Sequence, residues 1–177
     1  RWAASRAGMM PDEQQGRSIP RNPWPHPAVA RSVPRLFWDL SMRVAIVGNS
    51  GSGKSTLATW LAEAADLAVL DLDAVAWEPA RVAVQRPDAL AAADVSTFCA
   101  THQHWAVEGC YANLVEVALQ ASPVLVFLNP GLERCATNCR ARPWEPHKYA
   151  TREEQDARLG FLLSWVAEYY TRDGPMS

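Results

Sequence analysis

The sequence lacks several features that would point to particular classes of protein. No run approaches the roughly 18 consecutive apolar residues that cross a bilayer, so we expect no membrane span. The formal net charge is only −2, so nothing favours binding to nucleic acid by bulk charge. The first residues include arginines but lack the apolar core of a signal peptide. We therefore expect a cytoplasmic protein, monomeric or weakly dimeric, with no nucleic-acid or membrane partner.

The four cysteines also lack the spacing of a secreted disulfide framework. They include no C-x₂-C pair, so ordinary packing is favoured over a zinc site. Cys135 and Cys139 lie four residues apart and could share one helix face. We expect all four to be reduced thiols.

Residues 1–41 differ in composition from the rest of the chain. They hold six prolines and six arginines but no lysine, and the PWPHP run at 23–27 excludes a helix or a central strand. We predict a disordered segment or an extension that the following domain does not need. Its tryptophans could instead anchor it on a partner protein. The domain itself is predicted at 42–177, and it could continue past Ser177.

From residue 42 onward, short apolar runs alternate with helical patterns. The runs predict buried strands at 43–47, 67–72, 104–108 and 124–128. Helices are predicted at 56–65, from Pro87 onward, and at 113–119, 132–142 and 153–170. This alternation predicts an α/β fold, a three-layer α/β/α sandwich around a parallel sheet of strand order 2-3-1-4. Ligands in such folds bind beyond the carboxyl ends of the strands.

The loop after the first strand carries the most specific motif. Residues 48–55 read GNSGSGKS and fit G-x-x-x-x-G-K-S/T at every fixed position. Its glycines let backbone N–H groups point at phosphate oxygens, while Lys54 reaches the β- and γ-phosphates and Ser55 ligates Mg²⁺. The predicted nucleotide-binding residues are Gly48, Asn49, Ser50, Gly51, Ser52, Gly53, Lys54, Ser55 and Thr56.

Such a loop serves several classes of protein, and three of them lack support here. The sequence has no guanine-reading N-K-x-D segment and no LSGGQ-like transport signature. The chain is too short for the second helical domain of a motor. A small kinase remains, which needs an acceptor pocket, a metal-positioning acid and an arginine-bearing lid.

Carboxylates at two predicted strand ends supply the acceptor side. Of Asp71 and Asp73, one could orient Mg²⁺ and the other could hold the acceptor or take its proton. Both could instead belong to a helix cap, because aspartate is a good N-cap residue. Glu108 ends the third strand and is a further metal candidate. Trp77 and Tyr111 could line the acceptor pocket.

A lid is predicted at about 134–153. Arg140 and Arg142 lie at the end of one helix with Arg134 near its start, and arginine's planar fork suits the oxygens of a transferred phosphoryl group. A solvated basic helix end is the alternative, since arginine also complements a helix C-terminus.

Five segments together resemble one family: MRVAIVGNSGSGKSTLA, LDLDAVAWEP, AVEGCY, VLVFLNP and CRARPWEPHKY. Over 42–177 the chain is similar to the bacterial adenylate kinase-like P-loop proteins called topology-modulation or FlaR-type, also labelled shikimate-kinase-like or AAA family ATPases. The resemblance implies that Asp71 lies near the metal and Asp73 contacts the acceptor hydroxyl. Two features depart from the pattern. The fourth strand ends in Asn129, and only Arg81 and Arg86 stand where a shikimate pocket needs arginines.

The sequence therefore predicts a phosphotransferase that uses ATP and Mg²⁺ and phosphorylates a small-molecule or nucleotide acceptor. The expected catalytic residues are Lys54, Asp73, Arg140 and Arg142, and the expected metal-site residues are Ser55, Asp71 and Glu108. A nucleotide-binding ATPase or regulatory protein without an acceptor is the alternative.

Overall fold

A computed structural model describes residues 41–78, 84–145 and 149–173. Four parallel strands form one sheet: β1 (Arg43–Gly48), β2 (Ala68–Asp71), β3 (Trp105–Gly109) and β4 (Val124–Leu128). Their order is β2-β3-β1-β4, as the sequence predicts. The described residues also form six helices: α1 (Lys54–Ala65), α2 (Leu72–Ala76), α3 (Asp88–Thr101), α4 (Ala112–Leu119), α5 (Leu132–Arg140) and α6 (Arg152–Glu168). The predicted α/β class is confirmed, whereas the predictions for residues 1–40 fall outside the described ranges.

Strand β3 is the centre of the fold and is buried at every position. Successive side chains of a strand point to opposite faces of a sheet. Accordingly, Trp105 and Val107 pack in one core cluster with residues of α2, α3 and α4, and Ala106 packs in a second cluster with Ala58 of α1 and Ile46 of β1. Helices thus pack against both faces, as a parallel sheet requires.

The register of the strands brings two carboxylates and the glycine-rich loop together at the carboxyl-terminal end of the sheet. Glu108 of β3 pairs with Asp71 of β2 on one side and with Ile46 of β1 on the other. The glycine-rich loop, residues 48–55, begins two residues after Ile46. The loop and both carboxylates therefore lie at the carboxyl ends of neighbouring strands.

The prediction that all four strands are buried is wrong for β4. The exposed fractions of Val124, Leu125 and Phe127 are 66%, 52% and 56%. In the described residues β4 pairs with β1 alone, so it is an edge strand with little covering. An apolar run of five residues reads the same whether it lies in the middle or at the edge of a sheet.

The second predicted strand is shorter than expected, because a helix starts inside it. The Asp71 side chain accepts a hydrogen bond from the backbone N–H of Asp73 at 2.9 Å and caps α2. The strand ends at Asp71, and Asp73 lies in the first turn of α2. The helix-cap interpretation is therefore confirmed for Asp71.

Helices α5 and α6 pack against each other through a small cluster of their own. Cys135, Cys139 and Val166 are its buried members, with Leu162 and Leu163 against them. All four cysteines are free thiols. No helix within the described ranges combines the length and the apolar character needed to cross a membrane.

Candidate functional site

The backbone of the glycine-rich loop has a conformation that glycine makes possible. The φ angles of Gly48, Gly51 and Gly53 are 148°, 75° and 97°, values that other residues rarely adopt. At Gly51 a Cβ atom would also collide with the carbonyl oxygen of Cys135 and lie 2.8 Å from Cys139 Sγ. At Gly53, the N-cap of α1, a Cβ atom would meet nothing within 4 Å. Gly51 is therefore required by both conformation and space, and Gly53 by conformation alone.

Lys54 lies back over the loop rather than extending into solvent. The residue is 9% exposed, and its Nζ donates a hydrogen bond to the carbonyl oxygen of Asn49 at 3.0 Å. The backbone N–H of Ser52 donates to the same oxygen at 3.1 Å. These two bonds close a tight turn and place a positive charge beside the loop backbone.

Ser55, in the first turn of α1, contacts the acid that ends β3. Its hydroxyl donates to Glu108 Oε1 at 2.6 Å. Glu108 is 4% exposed. Burial raises the pKa of Glu108, and the nearby Asp71 carboxylate raises it further, while the Ser55 hydroxyl and Lys54 lower it in part. The Ser55 hydroxyl and the Glu108 carboxylate, which are in contact, are oxygen ligands of the kind that Mg²⁺ prefers.

A series of two hydrogen bonds holds the second aspartate, Asp73. Trp77 Nε1 donates to the Tyr111 hydroxyl at 2.7 Å, and this hydroxyl donates to Asp73 Oδ1 at 2.6 Å. Burial and then the Asp73 charge raise the pKa of Tyr111, so the phenol stays protonated and acts as a donor. Trp77 itself is 37% exposed. These two hydrogen bonds fix one oxygen of Asp73. The indole ring of Trp77 lies partly at the surface.

The structure brings most of the predicted site residues together. Lys54, Asp71 and Asp73 all act electrostatically on Glu108, so the loop, the serine and the three carboxylates share one region. Trp77 and Tyr111 join this region through Asp73.

Among the described residues, the predicted lid arginines form no hydrogen bond or ion pair with the loop. Arg140 is exposed, and Arg142 forms an ion pair with Glu145 at 3.5 Å. Both influence the Cys139 thiol electrostatically, which places them near the side of the loop that Gly51 faces. Residues 146–148 of the predicted lid lie outside the described ranges.

Sequence reasoning missed how the loop is attached to α5 and α6. Asn138 Nδ2 donates to the carbonyl oxygen of Gly51 at 2.7 Å, and Asn49 Nδ2 donates to that of Val166 at 2.8 Å. These contacts join residues 87 and 117 positions apart. No local pattern in the sequence signals such contacts, although the helical spacing of α5 did predict the element that carries Asn138.

The residues of the loop fit a polyphosphate group. Ser52 Oγ is buried and lacks a hydrogen-bond partner within the described part of the chain, and an orphan hydroxyl can donate to a phosphate oxygen. Within the described ranges, no group of three or more His, Cys, Asp or Glu side chains converges as a metal centre. A magnesium ion at Ser55 and Glu108 would therefore take most of its ligands from phosphate and water, as this ion commonly does.

Comparison with known proteins adds no family to this geometry. A scan against protein-family models and a search of the curated proteins each give no match for the chain. The structure shows the α/β fold class, and the family resemblance stays a prediction. The function must be argued from the side chains themselves.

Proposed function

We propose that the protein is a phosphotransferase that moves the γ-phosphate of ATP to a small-molecule or nucleotide acceptor with the help of Mg²⁺. The observation that supports this most directly is the 2.6 Å contact between Ser55 and Glu108. It lies at the start of a helix that follows a glycine-rich loop, with a lysine folded over that loop. Loop, lysine, hydroxyl and acid are the parts that phosphoryl transfer from a nucleotide requires.

The loop side would hold the triphosphate of ATP. Backbone N–H groups of the loop and the N-terminal end of α1 favour negative charge, and Lys54 would exchange its bond to the Asn49 carbonyl for phosphate oxygens. Ser55 and Glu108 would hold Mg²⁺, with Asp71 acting through water. The ion, when bound, neutralises charge on the phosphates.

The acceptor side would orient the attacking hydroxyl. Asp73 would accept the proton of that hydroxyl while the hydroxyl oxygen of the acceptor bonds to the γ-phosphorus. The bond from this phosphorus to ADP breaks in the same step. Tyr111 fixes the Asp73 carboxylate in place, so little ordering remains to be done when the acceptor binds. Trp77 would form a wall of the acceptor pocket.

The segment between α5 and α6 would supply the lid. Arg140 and Arg142 are proposed to stabilise the transferred phosphoryl group after this segment closes. In the present conformation Glu145 neutralises Arg142. Closure would therefore have to replace this ion pair with a contact to phosphate.

A phosphorylation screen tests the proposal. The full chain is incubated with Mg²⁺, ATP labelled with ³²P at the γ-position and fractionated pools of metabolites and nucleotides. We expect label in a new compound with the wild type and none with Lys54→Ala, provided that the variant melts at a similar temperature. Slow hydrolysis that no pool accelerates would support the ATPase alternative. No consumption of ATP in any pool would overturn the proposal.

A further inference from the structure

Two asparagines fasten the glycine-rich loop to the pair formed by α5 and α6. Asn138, on α5, donates to the carbonyl oxygen of Gly51. Asn49, inside the loop, donates to the carbonyl oxygen of Val166 on α6. Asn138 therefore donates from a helix to the loop, and Asn49 donates from the loop to a helix. Together with the contact between Gly51 and the α5 backbone, they join the loop to both helices.

The Asn138 bond acts on the peptide unit between Gly51 and Ser52, which is oriented by two hydrogen bonds, one at each end. Glycine has a wide range of allowed backbone angles, so the local sterics of residue 51 leave much of the orientation of this peptide to its hydrogen bonds. The carbonyl of this unit points to Asn138, and its N–H points to the Asn49 carbonyl. Without the amide donor, the carbonyl could turn toward the inside of the loop and present a negative end to an anion.

The Asn49 bond satisfies a group at the end of α6. The last four carbonyl groups of a helix lack an intrahelical partner, and Val166 lies in the last turn of α6, which ends at Glu168. Arg172 Nη2 satisfies the carbonyl of Trp165 in the same turn. Asn49 is 2% exposed, so its bond to Val166 is shielded from water, and its loss would leave a buried carbonyl unpaired.

We propose that Asn49 and Asn138 are positioning residues that hold the glycine-rich loop in its anion-binding conformation by tying it to α5 and α6. This inference rests on the proposed function, because it assumes that the loop holds a polyphosphate. Neither residue needs to touch the acceptor. Their effect should therefore fall on the affinity for phosphate groups and on the KM for ATP, with kcat changed much less.

The test titrates the full chain with MgATP and, separately, with magnesium tripolyphosphate, which engages the loop without a base or a sugar. We expect Asn138→Ala to lower the affinity for both ligands roughly three- to tenfold, the usual effect of one lost hydrogen bond. Asn138→Asp keeps the shape but cannot donate, so it should weaken both at least as much. Asn113→Ala, an exposed asparagine on α4, is the matched control and should leave both affinities unchanged.

Melting curves without ligand separate positioning from general stability. Asn138 is exposed, so Asn138→Ala should melt close to the wild type while binding more weakly. Asn49→Ala should have both a lower affinity for the ligands and a lower melting temperature, because the bond from Asn49 to the Val166 carbonyl is buried. Wild-type affinity in Asn138→Ala and Asn138→Asp would overturn the inference and leave the proposed function intact. Failure of the wild type to bind either ligand would overturn both.

Discussion

The two sides of the candidate site are built by different means. On the loop side, the backbone makes the geometry, through positive φ angles at three glycines and the start of α1. On the acceptor side, side chains make it, through the bonds from Trp77 to Tyr111 and from Tyr111 to Asp73. At Gly51 the backbone leaves no room for an added Cβ atom, whereas a series of side-chain hydrogen bonds can be weakened one bond at a time. The two sides should therefore respond differently to mutation.

The largest expected effect is on the loop side, from Gly51→Ala. The added Cβ collides with α5 in a φ region that disfavours alanine, so we expect a loss of about 2–5 kcal/mol in the free energy of unfolding. Urea denaturation measures it. Gly160→Ala is the matched control, because a Cβ at Gly160 in α6 meets nothing within 4 Å, and it should gain about 1 kcal/mol. Equal stabilities of Gly51→Ala and wild type would contradict the backbone account.

This side is also the part that sequence alone predicted best. The motif fixes which residues are glycine, lysine and serine within eight consecutive positions, and the flanking strand and helix follow from local periodicity. The acceptor side was predicted only as a set of candidates. Its bonds join residues 34 and 38 positions apart, and α2, which carries Asp73, was indicated only by the helix-cap alternative because the predicted strand ran on to residue 72. Likewise, nothing in the β4 sequence distinguishes an edge strand from a central one.

The next effect belongs to the acceptor side. Asp73→Asn keeps an oxygen that can accept from Tyr111 but cannot take a proton. We expect transfer to fall by roughly 10²-fold or more, while MgATP affinity stays within about threefold because the loop is untouched. Turnover assays with the acceptor found by the screen, alongside ATP titrations, measure both. Asp66→Asn, which suits the left-handed conformation at the end of α1, is the control. Undiminished turnover in Asp73→Asn would remove Asp73 from the mechanism.

A smaller effect is expected from Tyr111→Phe, which removes both hydrogen bonds of the Tyr111 hydroxyl but leaves Asp73 in place. Trp77 Nε1 loses its acceptor and Asp73 loses a donor, so the acceptor pocket should loosen. We predict a rise of roughly three- to tenfold in KM for the acceptor and little change in KM for ATP. Tyr170→Phe loses one exposed hydroxyl bond, to Asn129, and should change neither constant. Equal rises in both KM values would mean that the two sides are not separable.

The smallest effect is a shift in thermal stability from Glu108→Gln. The pKa of Glu108 is raised above its ordinary 4.5 by burial, so the charged carboxylate destabilises the ligand-free fold at neutral pH. This cost disappears as the pH falls through the raised pKa toward 4.5. Glu108→Gln should therefore melt a few degrees higher than the wild type near pH 8, with a gap that narrows toward pH 5. A constant gap, or a less stable variant at pH 8, would contradict this assignment.

The most direct test of the central claim is a calorimetric titration of the purified chain with ATP in the presence and absence of Mg²⁺. The account predicts saturable binding of one nucleotide per chain, weaker binding without the ion, and a loss of at least tenfold in affinity for Lys54→Ala, whose charge lies over the loop. If the wild type does not bind, or if Lys54→Ala binds as tightly as the wild type, the loop is not a triphosphate site and the proposed function fails with it.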